Sequence, residues 1–235
     1  MGQQILGVAR SVLKSGWTKM TRQGPSSLAP YGSHVPILMA LGKITQPKRI
    51  LELGGGFFST PLFLDRCHFP SVEQLTTVET DQWCWDRLRV EIGGNPRWSL
   101  QAISTSVAQW LEETEVMTQI RTYDLIFVDD SSDVMMRSNS LDRLFRVSPL
   151  CPVCLHDVQL WQLRPHVWRH PKAVIFDAFN PQTGVCNVNR KAWLDLMRRA
   201  KTEMRAYRRV AAEPKSLEDW VGIGATILEK VSAQN

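Results

Sequence analysis

The chain has 235 residues, 43% of them hydrophobic and 22% charged, proportions that exclude collagen-like, low-complexity and membrane-embedded classes. No apolar run approaches the roughly 18 residues that a membrane-spanning helix needs. The net charge of +5 is unevenly placed: residues 1–51 carry seven basic side chains and no acid, while the remainder carries 21 basic against 23 acidic. An acid-free start of this kind shares its composition with organelle transit peptides. Pro25, Pro30 and Pro36 interrupt it, however, and it leads into a core strand without a linker. The Met-Gly start has Leu6 where myristoylation favours Ser or Thr. Five cysteines (67, 84, 151, 154 and 186) form no regular framework, so a reduced, cytoplasmic setting is expected.

In chain order, residues 4–20 place Ile5, Val8, Val12, Leu13, Trp17 and Met20 at helical spacing with Arg10, Lys14 and Lys19 between them. This reads as a basic amphipathic helix lying on the domain or a partner, and its charge also suits peripheral contact with an anionic membrane. The stretch 21–36 is a Pro/Gly/Ser-rich loop, followed by a short helix over 36–45. Arg49 to Leu53 is a buried strand that runs into Gly54, Gly55 and Gly56 and then a helix over 59–68. Further strands are expected at 75–79, 98–103, 123–129, 153–156 and 172–179, and after the turn at 181–184 the segment VCNVN returns antiparallel. Helices are expected between them at 81–91, 107–119 and 139–147. The tail, 190–209, is a helix with an apolar stripe from Trp193 to Tyr207 and a strongly basic opposite face. A solvated face is one reading of that charge, and a nucleic-acid partner is another.

Strands alternating with helices at this spacing imply an α/β doubly wound, mostly parallel seven-stranded sheet with an antiparallel last strand and helices on both faces. The expected division is an N-terminal basic helix and loop over 1–33, a cofactor-binding domain over 34–190 and a basic helical extension over 191–235. In such a sheet the ligand lies at the carboxyl ends of the strands, where strand order reverses. Glu52, Glu79, Asp129 and Asp130 all fall at strand ends. The glycines allow close approach of a ligand to the backbone, with Ser59 and Thr60 at the start of the next helix. Glu79 lies at the distance past the glycines that suits an acid accepting from ribose hydroxyls.

ILELGGG, followed by TVET and YDLIFVDD, resembles the class I S-adenosylmethionine-dependent methyltransferases over about residues 34–190. The resemblance implies S-adenosylmethionine as cofactor. Gly54, Gly55 and Gly56 would meet its amino-acid part beside Glu52, with Ser59 and Thr60 behind them. Glu79 would bind the ribose, Ser104 and Thr105 would flank the adenine, and Asp129 would sit near the methionine moiety. His34 would lie close to the pocket as part of a cover. A nicotinamide or flavin dinucleotide is the competing ligand for a Gly-x-Gly turn; Glu52 before Leu53-Gly54 and the acids after the fourth strand tilt against it.

Methyl transfer to a hydroxyl needs a positioned acceptor and a group to take its proton. The candidates are Asp129, Asp130, His156, Asp157 and His34, with His156 and Asp157 read as a base and its orienting acid; a structural hydrogen bond at a strand end is the plainer role for His156. Magnesium-dependent O-methyltransferases of this fold carry an Asp-Asn pair after strand five, and Val158 stands where the Asn would be, so no metal is expected. The amino-directed DNA-methylation loop is absent, with VDDSSD in its place. Cys151, Cys154, His166 and His170 have near zinc-finger order, but Cys151 and Cys154 point to opposite faces of a strand and Pro165 would break the helix that should present both histidines. The expected activity is methyl transfer to a small-molecule or sugar-like hydroxyl. The alternative is a non-catalytic cofactor-binding protein acting through its basic helices on a nucleic acid or protein.

Overall fold

The computed structural model describes residues 32–56, 58–170, 173–177 and 181–211. The basic helix expected at 4–20 lies outside them. Helix α1 (Val35–Thr45) enters with Pro36 in its first turn and closes on Gln46 in a left-handed conformation, an arrangement suited to proline's fixed φ at a helix start. Strand β1 (Arg49–Leu53) follows, then α2 (Ser59–Leu64), β2 (Gln74–Glu79), α3 (Gln82–Ile92), β3 (Trp98–Ala102), α4 (Val107–Trp110) and α5 (Thr114–Ile120). The second half comprises β4 (Leu125–Val128), α6 (Val134–Arg146), β5 (Val153–Leu155), α7 (Arg164–Trp168), β6 (Val174–Phe176), β7 (Thr183–Cys186) and α8 (Arg190–Ala211).

The seven strands form one sheet in the order β3-β2-β1-β4-β5-β7-β6. Strands β1 to β5 pair in parallel, and β7 runs antiparallel to both β5 and β6. From β1 the chain builds outward to β2 and β3, then returns to lay β4 on the other side of β1. Strand order therefore reverses between β1 and β4, which opens a crevice at their carboxyl ends.

The apolar runs are buried on both faces because successive side chains point to opposite sides. Leu51, Leu53, Ile126, Val128, Val153 and Leu155 pack in one core with α4, α5 and α6. Ile50, Leu75, Leu125, Phe127 and Cys154 pack in the other with α1, α2 and α8. Each fully buried side chain of this size contributes on the order of 1.5–3 kcal/mol. Helix α8 lays Leu196 and Ala200 into the second core, and Lys43 of α1 pairs with its buried Glu203 at 2.8 Å.

Several elements differ from expectation at their edges. Asp133 caps α6 by accepting from the N–H groups of Met135 and Met136, so that helix begins at Val134 rather than at 139. The single helix expected at 107–119 is two, α4 under a Ser106–Gln109 capping box and α5 entered through Glu113. Strand β7 starts at Thr183, inside the expected turn, and β6 is only three residues long. The short helix α7 has no counterpart in the sequence reading.

Candidate active site

The turn after β1 is shaped by contact with the end of β4. Gly54 has φ +88°, and a Cβ there would stand 2.2 Å from the carbonyl oxygen of Asp129. Its N–H donates to the carbonyl of Val78 at 2.8 Å, while the N–H of Asp129 donates to that of Leu53 at 2.8 Å. Only glycine meets both demands. A Cβ at Gly55 would meet Leu88 Cδ1 at 2.6 Å and Thr77 Cγ2 at 2.8 Å. The turn is thus pressed against its scaffold on one side, leaving its backbone as the surface toward the crevice.

Glu79 closes this turn from β2. Its Oε2 accepts from Gly55 N–H at 2.8 Å, and its Oε1 accepts from the N–H groups of Thr80 and Asp81, each at 2.7 Å. Two carboxylate oxygens offer about four acceptor positions, so capacity for a further donor remains. Burial pushes the Glu79 carboxyl up, against the pull of the three N–H donors. The Gly56 N–H is likewise taken, by Thr60 Oγ1 at 3.1 Å.

Glu52 lies deeper, fully buried beneath the turn. Its Oε2 accepts from Thr60 Oγ1 at 2.8 Å and Thr77 Oγ1 at 2.7 Å. Burial raises its carboxyl to about 7, opposed by hydrogen bonds from Ser59, Thr77 and Thr60. Glu52, Ser59 and Thr60 therefore brace the turn from within, and all three are buried. Ser104 and Thr105 are exposed in the loop after β3, one strand beyond Glu79.

The acids after β4 and β5 converge on a residue that the sequence reading missed. Arg137 of α6 is buried, and it donates through one terminal nitrogen to Asp129 Oδ1 at 2.7 Å and through the other to Asp157 Oδ2 at 2.8 Å. It also donates to the carbonyls of Ser131 and His156. Asp130 Oδ1 stands 3.8 Å from its Nε, and Asp130 Oδ2 accepts from Ser140 Oγ at 2.6 Å. A guanidinium fork is suited to this work, since it presents donors in fixed directions to several oxygens. One signal was available: Arg137 follows the Asp133 cap by four residues, which places it on the same face of the helix.

His156 sits beside this array. Its Nδ1 lies 3.1 Å from Asp129 Oδ2 and 3.9 Å from Asp157 Oδ1, and its Nε2 lies 3.0 Å from Ser33 Oγ. The acid that orients the ring is thus Asp129, while Asp157, held at φ +61°, turns to Arg137. Burial pushes the Asp129 carboxyl up, but the His156 hydrogen bond and charge, with Arg137, outweigh it and hold the carboxyl below its usual value. Burial raises the Asp130 carboxyl despite Ser140 and Arg137. His34, the residue before α1, packs over Phe127 and stands edge-on to His156 with ring centroids 4.6 Å apart. It is 3% exposed, and burial, then the neighbouring His156, lowers its imidazole to about 3.

The zinc-finger-like set is dispersed. Cys151 and Cys154 belong to opposite cores, His166 Nε2 bonds Ser138 Oγ at 2.8 Å, and His170 stacks on Phe145. A cavity of about 720 Å³ opens at the other edge of the sheet, lined by Lys48, Arg121 and Asp124 among others. Asp124 there is engaged by the N–H groups of Lys48 and Arg49, and none of the candidate site residues reaches this cavity.

No family model matches the sequence, and no curated protein does. Solved structures do. A Klebsiella pneumoniae protein described as an O-methyltransferase superposes with TM-score 0.54 at 20% identity, covering 77% of this chain and 90% of its own. The O-methyltransferase TomG of Streptomyces achromogenes, solved with SAM and involved in tomaymycin synthesis, gives 0.53 at 18% identity, covering 77% and 90%. Human methyltransferase-like protein 13, solved with SAH, gives 0.51 at 16% identity, covering 78% and 92%. The chain has the class I methyltransferase fold. The sheet has seven strands with the last antiparallel, as the resemblance in the sequence implied. Among the described residues no helix is long and apolar enough to cross a membrane.

Proposed function

We propose that the protein transfers a methyl group from S-adenosylmethionine to a hydroxyl oxygen of a small-molecule acceptor. The observation that carries this reading is the charge around the glycine turn. Glu79, Asp129, Asp130 and Asp157 are gathered there, and among the described residues one guanidinium, Arg137, faces the three aspartates. The N–H groups of Gly55 and Gly56, which a pyrophosphate would need, already bond Glu79 and Thr60. Such a crevice suits a cofactor bearing a sulfonium and an ammonium, and it repels the pyrophosphate of a dinucleotide.

In this reading the backbone of Gly54 to Gly56 and the carboxylate of Asp129 hold the amino-acid part. Glu79 takes the ribose, and Ser104 and Thr105 flank the adenine. The cofactor supplies an activated methyl group. The chain's task is then to exclude water, aim the acceptor oxygen and take its proton. His156 is the group for the proton: Asp129 accepts from Nδ1, which leaves Nε2, now against the Ser33 hydroxyl, as the basic nitrogen. Asp130 and Asp157 act through Arg137, as positioning residues. Release of S-adenosylhomocysteine in a screen of phenols, alcohols and sugars tests the reading. Turnover should fall at least about a hundredfold in His156→Ala; turnover unchanged in that variant removes the base assignment.

A specific feature favours a second reading. Arg190, Lys191, Arg198, Arg199, Lys201 and Arg205 are all exposed on α8, a surface suited to a nucleic-acid partner. Binding to a duplex or single strand that weakens steeply with salt would favour a cofactor-binding interaction protein.

A further inference from the structure

His34 is a buried imidazole. Neither of its ring nitrogens has a hydrogen-bond partner among the described residues, although an unpaired buried polar group is costly and uncommon. One nitrogen of His34, one of His156 and one oxygen of Asp129 all lie within 4.8 Å of one another. We propose that His34, Asp129 and His156 form a binding site for one divalent first-row transition-metal ion, with zinc as its readiest occupant.

The surroundings of the three ligands support this in detail. Adjacent donor atoms each about 2.1 Å from an ion lie about 3.0 Å apart in octahedral and about 3.4 Å apart in tetrahedral geometry, and His156 Nδ1 and Asp129 Oδ2 are 3.1 Å apart. The remaining atom of each of these two ligands is held by a neighbour: Nε2 of His156 by Ser33 Oγ at 3.0 Å, and Oδ1 of Asp129 by Arg137 at 2.7 Å. Outer hydrogen bonds of this kind fix the tautomer of a ligating imidazole and the direction of a ligating carboxylate. The ligands also come from rigid places: His34 from the start of α1, Asp129 from the end of β4 and His156 from the end of β5.

The donor set selects the ion. Two imidazoles and one carboxylate suit zinc, iron or nickel, whereas magnesium prefers an all-oxygen shell. Three carboxylates against one guanidinium leave the cluster with negative charge for a dication to offset. Loading moves the single ring proton of His156 from Nδ1 to Nε2, where it is donated to Ser33 Oγ. Ion binding thereby stands apart from the methyl-transfer reading, because the loaded ring has no basic nitrogen left to offer an acceptor.

The test uses full-length protein stripped by a chelator, titrated calorimetrically with zinc chloride or magnesium chloride alone. The expected result is one zinc per chain, bound at least a hundredfold more tightly than magnesium. His34→Ala and Asp129→Asn should each weaken zinc at least tenfold, while His166→Ala, a buried histidine elsewhere, should leave it unchanged. X-ray absorption of the zinc-loaded unmodified protein gives an answer that does not depend on how the variants fold. Nitrogen and oxygen neighbours at about 2.0–2.2 Å support the site, and sulfur at about 2.3 Å overturns it. No stoichiometric zinc, or binding indifferent to His34 and Asp129, also overturns it. S-adenosylhomocysteine titrated into the same stripped protein reads the methyltransferase proposal separately, so either can fail alone.

Discussion

Arg137 reaches Asp129 at 2.7 Å from a position on α6 where 4% of its side chain is exposed, and it is the cation that allows three carboxylates to share the ends of β4 and β5. Asp129, Asp130 and Asp157 lie on two strand-end loops that would otherwise repel one another.

Removing that cation leaves buried charge uncompensated. Arg137→Met should destabilise the fold by about 3–5 kcal/mol, the cost of breaking a buried ion pair from one side. Arg137→Lys should recover little of it, since an ammonium cannot span Asp129, Asp157 and two carbonyls together. Denaturant unfolding at neutral pH reads both values, and a full rescue by lysine would contradict the bridging role.

Glu52 ties stability to pH. Its carboxyl titrates at 4.5 when exposed and at about 7 in the fold. Below 4.5 both states hold the proton and the contribution is complete. Between 4.5 and 7 only the folded state holds it, so stability is lost as pH rises, by about 3 kcal/mol in all. Glu52→Gln, which keeps an acceptor oxygen for Thr60 and Thr77, should remove that slope. Wild-type and variant unfolding free energies at pH 5 and pH 7.5 give the comparison, and a difference that does not change with pH would be the opposing result.

Gly54→Ala should cost at least about 1 kcal/mol for its left-handed φ alone. The added methyl would also meet the Asp129 carbonyl at 2.2 Å, forcing the β1 turn and the β4 end apart. Affinity for S-adenosylhomocysteine should therefore fall at least tenfold, measured by calorimetry. An unchanged affinity would show that this turn does not shape the cofactor site.

What the sequence made legible follows from the kind of interaction involved. The apolar runs at Arg49–Leu53 and Leu125–Val128 and the acids that stop them reflect local burial and chain reversal, so these strands and the crevice at their carboxyl ends could be anticipated. The capping role of Asp133 was equally local but hidden in VDDSSD, which reads as a strand-ending acid run. Arg137 and the Asp129–His156 pairing were not legible, because each depends on contacts 8 to 27 residues apart in the chain. Neighbouring sequence suggested Asp157 as the partner of His156, whereas the left-handed backbone at Asp157 turns its carboxylate to Arg137. Glu52 likewise reads as a ligand-facing acid, and only packing shows it sealed beneath the turn.

On the proposed function, this crevice takes a cationic methyl donor and not a dinucleotide. Calorimetric titration of the full-length protein with S-adenosylhomocysteine and, separately, with NAD tests it most directly. One equivalent of S-adenosylhomocysteine bound, with no heat from NAD, is the expected result; NAD bound in place of S-adenosylhomocysteine would contradict it.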